Sequence, residues 1–196
     1  GIARILSCVY EVDFYDFSYG FRPKKNAHQA LKVIGDSING KPVNHIVEAD
    51  IKGFFDNVEH DLLMDFLRIR IKDSSLLFLI ERFLQAGYID DEQLIKTEKG
   101  TPQGSILSPM LANIFLHYVL DQWFEDTVRH HTKGYVEVVR YADDFVCLVQ
   151  YKHDAERIEK ALRNRFTRYQ LELHPDKTRV FSFGRFEKQN AKSSRR

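Results

Sequence analysis

Tyr135-Val-Glu-Val-Val-Arg-Tyr141, Ala142-Asp143-Asp144 and Phe145-Val-Cys-Leu-Val149 follow one another without interruption, and their reading decides the fold. Two runs rich in β-branched and aromatic residues around a short polar break predict a β-hairpin. Ahead of it, Ser108-Pro109 is a helix start, with serine at the cap and proline at the first helical position, and that helix is expected to reach about Asp126. Behind it, residues 154–169 place Ile158, Ala161, Leu162 and Phe166 on one helical face, and Thr178 to Phe183 is a last strand. Further upstream, Asn26 caps a helix over 26–39, with Ala30, Leu31, Ile34 and Ile38 on one side. Val43 to Ile51 is β-branched and carries Asp50 at its end, and His60–Ile71 and Ser74–Ala86 are apolar helices, the second closed by Gly87.

The frame is β–α–β–β–α–β with extra helices inside the first crossover, an α+β, ferredoxin-like (βαββαβ) arrangement. A right-handed crossover leaves the first two strands parallel, and the third runs back beside the first. The end of the first strand and the hairpin turn then share one edge of the sheet. Asp50 and the pair Asp143-Asp144, 93 positions later, are predicted to meet there. Crowded carboxylates repel unless a cation neutralises them, and hard oxygen donors favour Mg²⁺. Two such ions clamp the attacking and leaving oxygens of a phosphoryl displacement. Taken singly, Asp-Asp in a hairpin is an ordinary solvated turn; the convergence is what points to chemistry.

Composition bounds the alternatives. In 196 residues, 43% are hydrophobic, enough for a real core, and 29 Lys+Arg against 28 Asp+Glu give +1, which excludes a protein that coats nucleic acid by bulk charge. Two cysteines, Cys8 and Cys147, cannot form a disulfide framework, and Cys147 alternates inside a strand as a core residue. No apolar run approaches the ~18 residues of a membrane span, and the start is no signal peptide, so a soluble, cytoplasmic chain is expected. It opens on Gly1 and enters an apolar periodic stretch (Ile2, Ile5, Leu6, Val9) at once, as a piece of something longer would. Glu187 to Arg196 loses apolar content and reads as a tail or linker. The eight histidines show no ligand spacing, and His130-His131 reads as a helix-end pair.

Tyr141-Ala-Asp-Asp144 resembles the signature of reverse transcriptases, and it does not stand alone. Asp50-Ile-Lys-Gly-Phe-Phe-Asp56, Thr101-Pro-Gln-Gly-Ser105, Leu173-His-Pro-Asp-Lys-Thr178 and Ser18-Tyr-Gly-Phe-Arg-Pro23 resemble further blocks of that family, in the right order. Together they cover about residues 10–186, and the style is that of bacterial group II intron enzymes. The resemblance implies a polymerase palm over 43–186 with a fingers insertion around 60–100, partial fingers over 1–42, and 187–196 leading toward a thumb. It implies two Mg²⁺ ions (Mn²⁺ substituting) held by Asp50 and Asp143, with Asp144 in support and the Ile51 carbonyl completing a shell. Phe55 takes the position of a steric gate against the ribose 2′-hydroxyl. The sequence reading adds that Phe54 and Phe55 alternate across a strand end, so that only one faces the core. Gln103, on a Pro-Gly-flanked turn, is implied to shape the nucleotide pocket. Arg22, with Lys24 and Lys25 beside it, suits a triphosphate clamp, and Lys177 suits neutralising or protonating pyrophosphate. Implied partners are an RNA template, a DNA primer, dNTPs and a structured intron RNA.

Three rivals share parts of this pattern. An RNA-dependent RNA polymerase is expected to carry a small residue at Phe55 and Gly at Ala142. A nucleotidyl cyclase gives no reason for Thr101–Ser105 or Arg22. A non-catalytic RNA-binding relative would have no need of all three carboxylates.

Overall fold

The computed structural model describes residues 1–86, 88–90, 93–95, 99–101 and 105–182. The chain opens with α1 (Ile2–Tyr10) and α2 (Ala27–Gly40), the latter started by a reciprocal capping box between Asn26 and Gln29. Strand β1 (His45–Ala49) follows, then a single turn of helix, α3 (Phe54–Asn57), and the pair α4 (His60–Arg70) and α5 (Ser74–Gln85). A small antiparallel hairpin, β2 (Tyr88–Asp90) and β3 (Gln93–Ile95), lies inside this crossover and was not foreseen from sequence. Next comes α6 (Leu107–Leu116), which continues without a break through two wide π-turns, His117–Asp121 and Phe124–Val128, into α7 (Arg129–His131). Then β4 (Val136–Tyr141), β5 (Asp144–Val149), α8 (Lys152–Arg168) and β6 (Arg179–Ser182) complete the fold.

The main sheet has the order β4-β5-β1-β6 with every neighbouring pair antiparallel, which is the ferredoxin-like arrangement expected. Ala49 pairs with Phe145, so the next residues outward, Asp50 and Asp144, lie at the same edge of the sheet. One face, through Val47, Ala49, Val138, Cys147 and Val149, joins the principal core with α6, α8, α4, α5 and α1. The alternate residues Ile46, Val139, Val146 and Leu148 turn toward α2, where smaller clusters form with Ala30, Ile34 and Ile38. This alternation is the period of two of a pleated strand, with both faces covered over part of their length. Burial pushes the Cys147 thiol up to about 12, as a core cysteine requires.

Local readings fail in three places. The long helix starts at Leu107, and Ser105 rather than Ser108 takes the Leu107 N–H, while Ser108 is buried inside the first turn. The helix runs to His131, not Asp126. Phe54 and Phe55 stand on α3, not a strand end: Phe54 is buried against Phe115, and Phe55 is half-buried beside it. The helix-end reading of His130 and His131 holds, each ring nitrogen meeting a carbonyl of the preceding turn.

Candidate active site

The hairpin between β4 and β5 has a two-residue loop, Ala142-Asp143, because Tyr141 and Asp144 still pair. Ala142 carries φ 57°, a left-handed conformation that costs a residue with a Cβ about 1–2 kcal/mol. Such strain persists only where the surroundings enforce it, and here they are explicit. Arg140, fully buried, sends Nη1 to the Ala142 carbonyl at 2.8 Å and to Asn113 Oδ1 at 2.9 Å. Its Nε and Nη2 form a fork onto the two Asp121 oxygens at 2.8 and 2.5 Å. Asn113 in turn donates to the Gly20 carbonyl at 2.7 Å. The backbone of Arg140 pairs with the segment before Gly20, through Tyr19 N–H to Arg140 O and Arg140 N–H to Phe17 O. A Cβ on Gly20 would lie 2.2 Å from the Ala142 nitrogen, so glycine is needed for this approach.

Asp50, Asp144 and Lys177 line a cleft of about 580 Å³ between the first turns of α2 and the uncovered part of the sheet, with Tyr141, Glu48 and Arg179. Asp143, in the turn, is half-buried. Desolvation, then the nearby charges of Asp144 and Asp50, raise its carboxyl above the ordinary range, while its own backbone N–H and Arg140 work against the rise. Lys177 Nζ lies 2.6 Å from Asp50 Oδ2, and that carboxylate raises the pKa of the exposed ammonium. Beyond Asp50 the chain makes an isolated bridge, Ile51 to Leu173, closed by His174 N–H to Asp50 O and Lys52 N–H to Glu172 O. In that non-hydrogen-bonded position the Ile51 carbonyl turns toward the β5 side.

Among the described residues, no group of three or more His, Cys, Asp or Glu side chains is arranged to hold an ion by itself. The donor set is nevertheless one of hard oxygens, with like charges near one another and a lysine ammonium against one of them. Its chemistry fits a divalent cation.

Arg22 corrects the sequence reading. It is 8% exposed, and all its N–H groups are engaged: with Glu11 at 2.7–3.3 Å, and with the carbonyls of Tyr15, Ser18 and Phe14 at 2.6, 2.8 and 3.4 Å. No donor remains for a triphosphate. Of its neighbours, Lys25 pairs with Asp16 and lies over the Tyr19 ring. Gln103 lies outside the described residues. The shoulders of its loop are fixed, by Thr101 N–H to Phe55 O at 2.7 Å, Gly100 N–H to Val58 O at 2.8 Å and His60 Nε2 to Gly100 O at 2.6 Å. Thr101 is thus tied to the backbone of Phe55. Sequence reasoning missed Arg140, Asp121 and Asn113. Their signal was a charge on the core-facing period of β4, after Val136 and Val138, and two polar residues inside an apolar helix.

The chain matches the reverse transcriptase (RNA-dependent DNA polymerase) family model over residues 2–194. The chain belongs to the reverse transcriptase family. It is 50% identical over 113 residues, 58% of its length, to the group II intron-encoded protein LtrA of Lactococcus lactis subsp. cremoris, of which it spans 18%. Protein YkfC of Escherichia coli K12 is 32% identical over 88% of the chain, which covers 53% of that relative. Among solved structures, telomerase from Candida albicans in complex with a fragment of telomeric RNA superposes with a TM-score of 0.74 over 92% of this chain and 34% of its own, at 16% identity. Apo telomerase from Candida tropicalis truncated of its C-terminal domain gives 0.71 over 93% and 40%, at 14% identity. At such identities the likeness is one of fold. No described helix is long and apolar enough to cross a membrane.

Proposed function

We propose that the chain is the fingers–palm part of an RNA-directed DNA polymerase encoded by a bacterial group II intron, working in the cytoplasm. The reading assigns 1–42 to partial fingers, 43–186 to the palm with a fingers insertion around 60–100, and 187–196 to a tail toward a thumb. Its partners would be an RNA template, a DNA primer, dNTPs and a structured intron RNA. The observation that carries it is the meeting of Asp50 with Asp143-Asp144 at one edge of the sheet, in a chain of this family.

In this reading Asp50 and Asp143, with Asp144 in support and the Ile51 carbonyl, would hold two Mg²⁺ ions (or Mn²⁺), which supply charge neutralisation at the attacking and leaving oxygens. The chain's own groups do the rest. Ala142 and Asp143 present a carboxylate on a rigid turn, which avoids reorganisation as the bond forms. Lys177, already beside Asp50 and exposed to the cleft, stands where it can neutralise or protonate the departing pyrophosphate. Phe55, half-buried on α3 with its backbone bonded to Thr101, would stand as the gate against the sugar 2′-hydroxyl, and Gln103 would border the same pocket. Template and primer would be gripped through backbone shape, not sequence.

The test is primer extension by the full-length protein on an RNA template with a DNA primer. Extension is expected with dNTPs and is expected to vanish in Asp143→Asn. Phe55→Ala is expected to raise ribonucleotide use relative to deoxynucleotide use by roughly 10–100-fold, the discrimination one steric contact supplies. Unchanged ribonucleotide use would remove the gate assignment, and full activity in Asp143→Asn would remove the site.

A further inference from the structure

We infer that Asp121, Arg140 and Asn113 form a buried clamp whose task is to hold the Ala142-Asp143 turn in its left-handed conformation, and that they are positioning residues for metal binding at Asp143. The inference rests on the reading of Asp143 as a metal ligand.

Three observations converge on the turn. The first is the strain: an alanine at φ 57° where glycine or asparagine is the easy choice. The second is the direction of the grip. Arg140 has five N–H donors in a fixed fork. The fork spends four of them, two on Asp121, one on Asn113 and one on the carbonyl of the strained residue itself. An arginine and an aspartate both wholly removed from water are weak evidence for stability, since desolvation offsets much of their attraction. The placement of Arg140 two residues before Ala142 gives the pair another purpose: Asp121 holds the guanidinium that fixes where the Ala142 carbonyl lies, and so where the next side chain leaves the backbone. The third observation is the helix behind them. Asn113 and Asp121 are eight residues apart, about 80° around a straight α-helix at 100° per residue. The wide turn His117–Asp121 takes up the extra residue, and both reach the same guanidinium.

The clamp also explains what Ser18-Tyr-Gly-Phe does, once Arg22 is no longer a phosphate ligand. Its Gly20 carbonyl is held by Asn113, its backbone pairs with Arg140, and the missing Cβ lets it lie against Ala142. The segment lies directly against the turn, and Ala142 has little room to relax on that side.

The decisive variant replaces the pair together, Arg140→Met with Asp121→Leu, because apolar substitution of both partners leaves no buried charge stranded. Three quantities are compared with the parent full-length protein: melting temperature, Mn²⁺ affinity from the electron paramagnetic resonance of free Mn²⁺, and the split of primer extension into kcat, KM for dNTP and half-saturating Mg²⁺. The clamp predicts a melting temperature within a few degrees, Mn²⁺ affinity about tenfold weaker, half-saturating Mg²⁺ raised to match, and KM for dNTP changed less than either. A merely structural pair would move the melting temperature and leave metal affinity alone, and that outcome overturns the inference. Should the double variant not fold, Asn113→Ala decides. It removes only the bonds to Gly20 and Arg140, and is expected to weaken Mn²⁺ binding severalfold. Adding Ala142→Gly, which takes a left-handed turn without strain, is expected to restore at least half of that loss. Parent-like Mn²⁺ affinity in Asn113→Ala overturns the inference. Asp143→Asn separates this from the underlying reading. If it too binds Mn²⁺ like the parent, Asp143 is not a ligand, and site and clamp fall together; if it binds weakly while the clamp variants do not, only the clamp is wrong.

Discussion

Two ion pairs flank the Ala142-Asp143 turn, and they differ in almost everything except their chemistry. Arg140 and Asp121 are both wholly out of water and joined by a two-point fork, while Lys177, 64% exposed, meets Asp50 through a single contact of 2.6 Å. The first is anchored on every side by strand, helix and loop. The second links a turn to a strand end across an open cleft. A buried pair cannot exchange partners without stranding a charge in a low-dielectric interior; an exposed one can, because water screens the separated groups. One site thus uses oppositely charged pairs in two ways, as a fixed strut and as a displaceable counter-ion.

Several substitutions break or sharpen that contrast. The largest effect is expected where the displaceable pair touches the chemistry: Asp50→Asn should reduce primer extension by about 10³-fold, as loss of a charge-stabilising group does, with little change in melting temperature. Next comes the strut. Arg140→Ala alone should destabilise the fold by about 3–5 kcal/mol in urea unfolding, because Asp121 is left charged and unpaired in the core. If it does not, the strut is no more than another exchangeable contact.

The pH dependence sharpens the comparison further. The folded chain raises the Asp143 carboxyl above its ordinary value, chiefly by desolvation. Its contribution therefore favours the fold below the ordinary carboxylate value, and is lost as pH rises through the raised one. Metal binding runs the other way, since the carboxylate must be free of its proton. Mn²⁺ affinity should fall as pH is lowered through a point above the usual carboxylate range, and Asp143→Asn should flatten that profile. The smallest effect is expected at Lys177. Lys177→Met should leave the melting temperature unmoved and tighten Mn²⁺ binding a few-fold, since Asp50 no longer has a competing ammonium. Primer extension would slow as pyrophosphate loses its neutralising partner. Weaker Mn²⁺ binding in this variant would show that the lysine supports the site and does not compete for it.

Periodicity made the frame legible. The two β-rich runs around Ala142-Asp143-Asp144, the β-branched run ending at Asp50 and the helical face through Ile158, Leu162 and Phe166, with the handedness of the crossover, gave the strand order and the edge where carboxylates meet. What escaped depends on contacts between distant segments. Arg22 beside Lys24 and Lys25 reads as a cationic turn suited to a triphosphate, and nothing local shows that Glu11 and three carbonyls surround it. The wide turns after Leu116 follow from packing, since their residues suit an α-helix equally well. Arg140 was visible as a charge on a buried face, but its meaning lay in Asp121 and Asn113, which sequence cannot aim.

The position of β1 in the sheet bears on how the protein is made. The strand that carries Asp50 lies between β5 and β6, with Ala49 against Phe145 and Glu48 against Arg179. Both partners leave the ribosome roughly a hundred residues or more after it. Until then its apolar run Ile46-Val47 has two bare edges, a template for pairing with other nascent chains. A product that stops before Val149 would be expected to aggregate, whereas one that reaches Ser182 closes the sheet and assembles the cleft in the same step.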